Sequence, residues 1–257
     1  MLDVMAQYYN CSFTDHNYST YANYSYTQDV FKSTLDNIWS GLYSLIANCN
    51  AILDHCGEGT PVLSDTYYRL VKGEALGLRA MMHLDLLRMF GPIYTAENKG
   101  TKCIPYMTRA DRVVQPLLPA DSVMYYVIKD LEAASELLAT VDPVITDGPR
   151  NQDAGQSSND LYYRQYRMNY FAVNALIARA YLWMGNTQKA GEYARTVIEK
   201  VSNEDKPLFP LVDVDYMTKN SSDGVFYPEV LFSLYNTSRE SNVYKTFFDP
   251  TLSVARI

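Results

Sequence analysis

Five ionisable side chains crowd one stretch of the sequence: Glu74, Arg79, His83, Asp85 and Arg88. Carboxylates beside an imidazole are the usual material of general acid and base catalysis. Their spacing argues against that use. On a helix the five fall on several faces, and Asp85 with Arg88, three positions apart, makes an ordinary ion pair. The expectation is that they tie the helix to its neighbours, and no catalytic residue is assigned. His16, His55 and His83 are scattered, while Asp54, His55 and Cys56 lie too close together to share one zinc at a helix end. Cys11, Cys49, Cys56 and Cys103 contain no Cys-x-x-Cys pair. Cys49 and Cys56 on one helix would stand about 10.5 Å apart along its axis, too far for a disulfide. The sequence has no P-loop, no Gly-x-Gly-x-x-Gly and no Gly-x-Ser-x-Gly, so neither metal nor cofactor is expected.

Tyrosine is the over-represented side chain, with 23 in 257 residues against 9 Phe and 2 Trp. Within the helical part the plainer account is packing between helices. The polar stretch from Tyr8 to Tyr26 is different, because its tyrosines alternate with Asn, Asp and Ser. Sugar rings offer C–H faces that stack on aromatic planes and hydroxyls that pair with Asp and Asn. Tyr18, Tyr21, Tyr24 and Tyr26, with Asp15, Asn17 and Asn23, are therefore the candidate ligand-binding residues. Tyr216 to Tyr227 is a weaker version of the same composition. The competing account is that these loop residues pack on the helices. Five Asn-x-Ser/Thr triplets, at Asn10, Asn17, Asn23, Asn220 and Asn236, would suggest glycosylation in a secreted eukaryotic protein and in a bacterial one reflect only loops rich in Asn and Ser.

The elements that must position these residues are helices. Leu35, Ile38/Trp39, Leu42, Leu45/Ile46, Cys49 and Ile52/Leu53 recur three and four apart, and Gly57 and Pro61 stop the run. Ser64 or Asp65 caps a second helix through Val71, Leu78, Met82 and Leu86, which Gly91-Pro92 ends, and the two are expected to form an antiparallel pair. A third begins near Asp121 and buries Val123, Val127, Leu131 and Ala134. Residues 141 to 160 read as a long irregular loop. A fourth helix through Phe171, Ala178 and Leu182 turns at Gly185-Asn186 into a fifth through Ala190, Ala194 and Val197. Pro207 and Pro210 close the helical part, and Glu229 to Tyr235 reads as a short strand or buried extended segment. Trp39, Leu42, Leu78, Met82, Ala178 and Leu182 are expected in the core. With a net charge of −7 the chain as a whole would repel a phosphate backbone, and no nucleic-acid partner is expected. No stretch approaches the roughly 20 apolar residues of a membrane span, and Met1 to Tyr8 lacks the basic and apolar regions of an export signal.

The hairpin of Ala178, Tyr181, Gly185-Asn186, Ala190 and Ala194 resembles a tetratricopeptide unit. Further landmarks run in order: Trp39, Tyr43, Ile46, Asn50 and Leu53; Gly73-Glu74-Ala75 to Arg79-Ala80, His83-Leu84-Asp85-Leu86, Arg88 and Phe90-Gly91-Pro92; Ile104-Pro105; Tyr126, Ile128, Asp130-Leu131 and Ala134; Glu229 to Ser233. Together they resemble the SusD/RagB family of Bacteroidetes glycan-uptake lipoproteins over most of residues 35 to 235. The resemblance implies a mostly α fold of tetratricopeptide-like hairpins with long irregular loops, forming one domain over residues 1 to 257. It also implies an outer-membrane surface protein, held through a lipid anchor, that captures an oligosaccharide for a TonB-dependent transporter and catalyses nothing. In such proteins loops outside the repeat helices form most of the ligand site. Members carry a lipobox cysteine and a loop-rich second portion; neither is found in this sequence, which reads as a fragment or a truncated member. Two other readings compete: a helical-repeat scaffold for a peptide or protein, and an all-helical glycosidase with two carboxylates roughly 5 to 10 Å apart. The irregular loops between helical pairs disfavour the first, and no carboxylate pair stands out for the second.

Overall fold

A computed structural model describes residues 1–9, 11, 16–59, 62–111, 113–151, 160–202, 205–219, 223–238 and 240–249. The chain divides into two compact units, Met1–Tyr43 with Tyr235–Ile257, and Ser44–Leu234. The first contains the short helices α1 (Leu2–Met5) and α2 (Ser19–Ala22), the beginning of α3 (Asp29–Cys56) and a wide-turned helical segment, Glu240–Phe248. The second takes the rest of α3, then α4 (Asp65–Phe90), β1 (Lys102–Ile104), β2 (Leu118–Pro119), α5 (Ala120–Leu138), α6 (Val144–Asp147), α7 (Tyr170–Trp183), α8 (Thr187–Val201) and α9 (Val214–Lys219). Among the described residues β-structure is limited to β1 and β2, an antiparallel pair that matches Lys102 with Pro119 and Ile104 with Leu118.

The sequence punctuates the long helices where their backbone groups need partners. Ser64 Oγ accepts from the Tyr67 amide, Asn169 Oδ1 from Ala172 and Asn186 Oδ1 from Lys189, so α4, α7 and α8 each begin on a side-chain cap. Gly185 between α7 and α8 has φ +77, a left-handed turn that glycine adopts without the strain a Cβ brings. The antiparallel α7/α8 hairpin follows, with Tyr181 and Tyr193 stacked across it at 5.8 Å. The long partner of α4 is α5, which runs antiparallel to it across the irregular segment after Gly91. Gly73 makes that approach close, since a Cβ there would stand 2.8 Å from Leu138 Cγ. α7 also packs on α5, where Ser135 and Asn174 share hydrogen bonds, and it meets α4 near Gly77. The core lies between these three helices, around Leu84, Leu87, Val127, Leu131, Phe171 and Ile177.

Several expectations need correction. Met82 is buried, but Trp39, Leu42, Leu78 and Ala178 are half-buried, and Leu182 is 61% exposed. Ile177, Ala180 and Tyr181 hold the inner face of α7, and its apolar run continues onto a face that the described residues leave exposed at Leu182. Replacing Leu182 by Ala is accordingly expected to change stability by less than about 0.5 kcal/mol in urea unfolding; a loss above about 1.5 kcal/mol would show that the side chain is packed. Within 141–160, Val144–Asp147 is helical, and residues 152–159 lie outside the described residues. Glu229 to Tyr235 forms no strand: a turn at Tyr227–Glu229 leads into extended backbone whose Val230 and Leu231 carbonyls accept from Gln165 and Asn169. The helical part does not end at Pro210, because α9 and Glu240–Phe248 follow it.

Candidate functional site

In the first unit the tyrosine-rich stretch is folded around Phe31. Val4, Cys11, Tyr21 and Phe31 form a small buried cluster, with Met1, Met5, Tyr18, Ala22 and Leu35 packed against it. Tyr21 belongs to that cluster: its ring stands 5.3 Å from Phe31, and its hydroxyl shares a 2.8 Å hydrogen bond with Thr34 Oγ1. Tyr21 thus follows the competing account, since in a short segment one of several alternating tyrosines has to fill the core. Tyr18 is half-buried, stacked 6.4 Å from Tyr21. Tyr24 and Tyr26 are 41% and 55% exposed, with ring centroids 6.5 Å apart. Tyr26 is backed by Phe31 at 4.8 Å, and the Tyr24 hydroxyl donates to the Met5 carbonyl at 2.7 Å. That bond helps to hold Tyr24 in the left-handed region, φ +52. Asn23 beside them and Asn17 are exposed, and Asp15 lies outside the described residues. The stretch thus presents two braced aromatic rings next to an amide.

In the second unit three of the five ionisable residues of α4, Glu74, Arg79 and His83, are committed to the fold. Arg79 forks onto Asp130 of α5, Nε to Oδ2 at 2.7 Å and Nη2 to Oδ1 at 2.8 Å, and donates from Nη1 to Asn50 of α3. His83 sits between the Arg79 carbonyl, 2.9 Å from Nδ1, and the Met107 amide, which donates to Nε2 at 3.0 Å. Glu74 accepts from Arg164, whose guanidinium also forks onto Asp142. Asp85 and Arg88 form the surface pair that their spacing implied, at 3.2 Å. Among the described residues no three His, Cys, Asp or Glu side chains converge as a metal site requires, and all four cysteines are free. No described helix is long and apolar enough to cross a membrane.

A second aromatic surface was missed in the sequence. Tyr125 and Tyr126 of α5 are 62% and 36% exposed and border an open groove of about 850 Å³ that runs along α5 to the end of α7. Both fall off the stripe of Val123, Val127, Leu131 and Ala134, which is the signal that would have found them.

The family model of SusD-like proteins, described as starch-binding and associating with the outer membrane, matches residues 2–182. Among solved structures, a SusD superfamily protein of Bacteroides thetaiotaomicron VPI-5482 is 24% identical, with a TM-score of 0.58 over 79% of this chain and 39% of its own. Another, of Bacteroides vulgatus ATCC 8482, is 21% identical with a TM-score of 0.55, over 71% of this chain and 37% of its own. A laminarin-binding SusD-like protein is 17% identical with a TM-score of 0.50, over 74% and 36%. These are likenesses of fold. The chain spans roughly a third to two fifths of the length of such structures. No curated protein sequence matches it.

Proposed function

The chain belongs to the SusD-like carbohydrate-binding family, whose members associate with the outer membrane, and on that premise we propose that it captures an oligosaccharide at the cell surface. It holds the ligand without catalysis and passes it to a TonB-dependent transporter, and a lipid anchor keeps it at the outer membrane. One observation carries the binding step: Tyr24 and Tyr26 expose two rings beside Asn23, each fixed from behind, by Met5 and by Phe31. A ring that is already held loses little freedom when a sugar stacks on it.

Soluble starch, from the family's description, and laminarin, from one structural neighbour, are the first ligands to try. Tyr26→Ala is expected to weaken binding to whichever is bound by about 1 to 2 kcal/mol, roughly 5- to 30-fold. Stability should move by less than about 0.5 kcal/mol, since the ring is mostly solvated. Calorimetry on the variant and the parent protein checks both. Unchanged affinity would remove Tyr26 from the site, and failure of every glycan tried to bind the parent protein would end the capture reading.

A further inference from the structure

The outer face of α5 is unusual for a solvated helix face. Its inner stripe packs on α4 and α7, so the opposite side could consist of Lys and Glu alone. It carries instead Tyr125 and Tyr126, and these are the outer end of an aromatic ladder that rises from the core. His83 is fully buried; Tyr106 stacks on it at 3.8 Å, Tyr126 on Tyr106 at 5.2 Å, and Tyr125 meets Tyr126 edge-on at 5.3 Å. The ladder is pinned at its second rung, where the Tyr106 hydroxyl donates to Asp130 Oδ2 at 2.6 Å. Tyr126 is therefore a fixed ring, and Tyr125 stands against a fixed edge.

One polar group of the groove is fixed in the same way. Tyr181 and Tyr193 both direct their hydroxyls at Glu132 Oε1, at 3.2 and 3.3 Å, which orients the carboxylate. Its Oε2 takes no hydrogen bond among the described residues, and Lys129 and Glu136 have no side-chain partner there. Acceptors, one ammonium donor and an aromatic face thus line a single concavity, whose volume lies within the range of ligand sites.

We propose that this groove is a second carbohydrate subsite, separate from Tyr24 and Tyr26, in which Tyr125 stacks on a sugar face while Glu132 and Lys129 bind its hydroxyls. The inference rests on the reading of the chain as an oligosaccharide binder. It specifies a neutral sugar, because the charges around the groove offset one another: Asp121 is paired with Lys99, Glu132 lies near Lys189 and Glu136 offsets Lys129, which leaves no net cation to hold uronate or sulfate groups. A protein partner fits less well: the cores of protein interfaces are depleted in Lys, Glu and Asp, and Asp121, Lys129, Glu132 and Glu136 all line this groove.

The test uses the whole chain in affinity electrophoresis through laminarin, soluble starch and polygalacturonate, with amine labelling of Lys129 followed by mass spectrometry. For a neutral glucan that retards the parent protein, Tyr125→Ala should weaken retardation about fivefold or more, and Tyr125→Ala with Tyr26→Ala should weaken it further. The same glucan should slow labelling of Lys129 by about threefold or more in the unaltered protein, a measurement that does not depend on any variant folding. If the glucan retards Tyr125→Ala as it does the parent and leaves Lys129 labelling unchanged, the second subsite is wrong and capture elsewhere stands. If polygalacturonate is bound through Tyr125 as strongly, the preference for a neutral sugar is wrong. If no polysaccharide retards the parent protein, the capture reading fails and this inference with it.

Discussion

Arg164→Met is expected to destabilise the protein by about 3 to 5 kcal/mol in urea unfolding at neutral pH. The side chain is 1% exposed and joins two carboxylates: Nε and Nη2 reach Asp142, itself fully buried, at 2.9 and 3.1 Å, and Nη1 reaches Glu74 at 2.7 Å. Asp142 also accepts from the amides of Val144 and Tyr170, so the pair fixes the start of α6 and of α7. Burial holds the Glu74 carboxyl above its ordinary range even against the opposing charge of Arg164 and the weaker one of Arg167. Methionine fills much of the volume but leaves Asp142 buried without its cation and Glu74 with only the charge of Arg167. The loss should therefore be smaller in mild acid, where Glu74 can take up a proton. Arg88→Met is the control, since its pair with Asp85 is solvated and should be worth less than about 1 kcal/mol. A loss of less than about 1 kcal/mol for Arg164→Met would mean that water reaches the site and that the three groups are not a buried unit.

The sequence made α4 legible and left its partners hidden, for a physical reason. Periodicity and capping are local, so Ser64, Gly91-Pro92 and Gly185-Asn186 mark helix ends without reference to the rest of the fold. The charges of α4 could likewise be read as ties, because a helix face seldom carries buried ionisable groups without partners. Which residues they tie to is a matter of tertiary contact: Asp130 is 51 positions from Arg79, and Arg164 is 90 from Glu74. The same limit explains Leu182. An apolar residue on a helix shows which face is greasy but not whether another element covers it. The candidate site was legible in composition only, since the pattern in the Tyr18 to Tyr26 stretch could not tell Tyr21, which fills the core, from Tyr24 and Tyr26, which do not. Tyr125 and Tyr126 could have been found, because a helix register excludes both from the stripe that buries Val123 and Val127.

Acid should unfold this protein earlier than its surface carboxylates alone would dictate, and His83 is the reason. Burial, with the positive charge of Arg79 adding to it, lowers the imidazole pKa from 6.5 to about 3, against the opposing hydrogen bond to the Arg79 carbonyl. Geometry agrees with a neutral ring, since Nδ1–H donates to that carbonyl while Nε2 accepts from the Met107 amide, and a second proton would displace the latter bond. The unfolded chain binds a proton on His83 below about pH 6.5, whereas the folded chain does not until about pH 3. Protons are therefore bound preferentially by the unfolded state across that window, and stability falls as pH falls through it. Between pH 7.5 and pH 5 the loss from this one group should be about 2 kcal/mol. His83→Gln can keep an acceptor for Met107 and a donor for Arg79 but has nothing to titrate. It should be less stable than the parent at pH 7.5, having lost the stack on Tyr106, and should approach or pass it by pH 5. Urea unfolding at a series of pH values measures the difference between the two proteins, in which the carboxylates common to both largely cancel. Parallel curves across the window would show that the ring takes up its proton in the folded state.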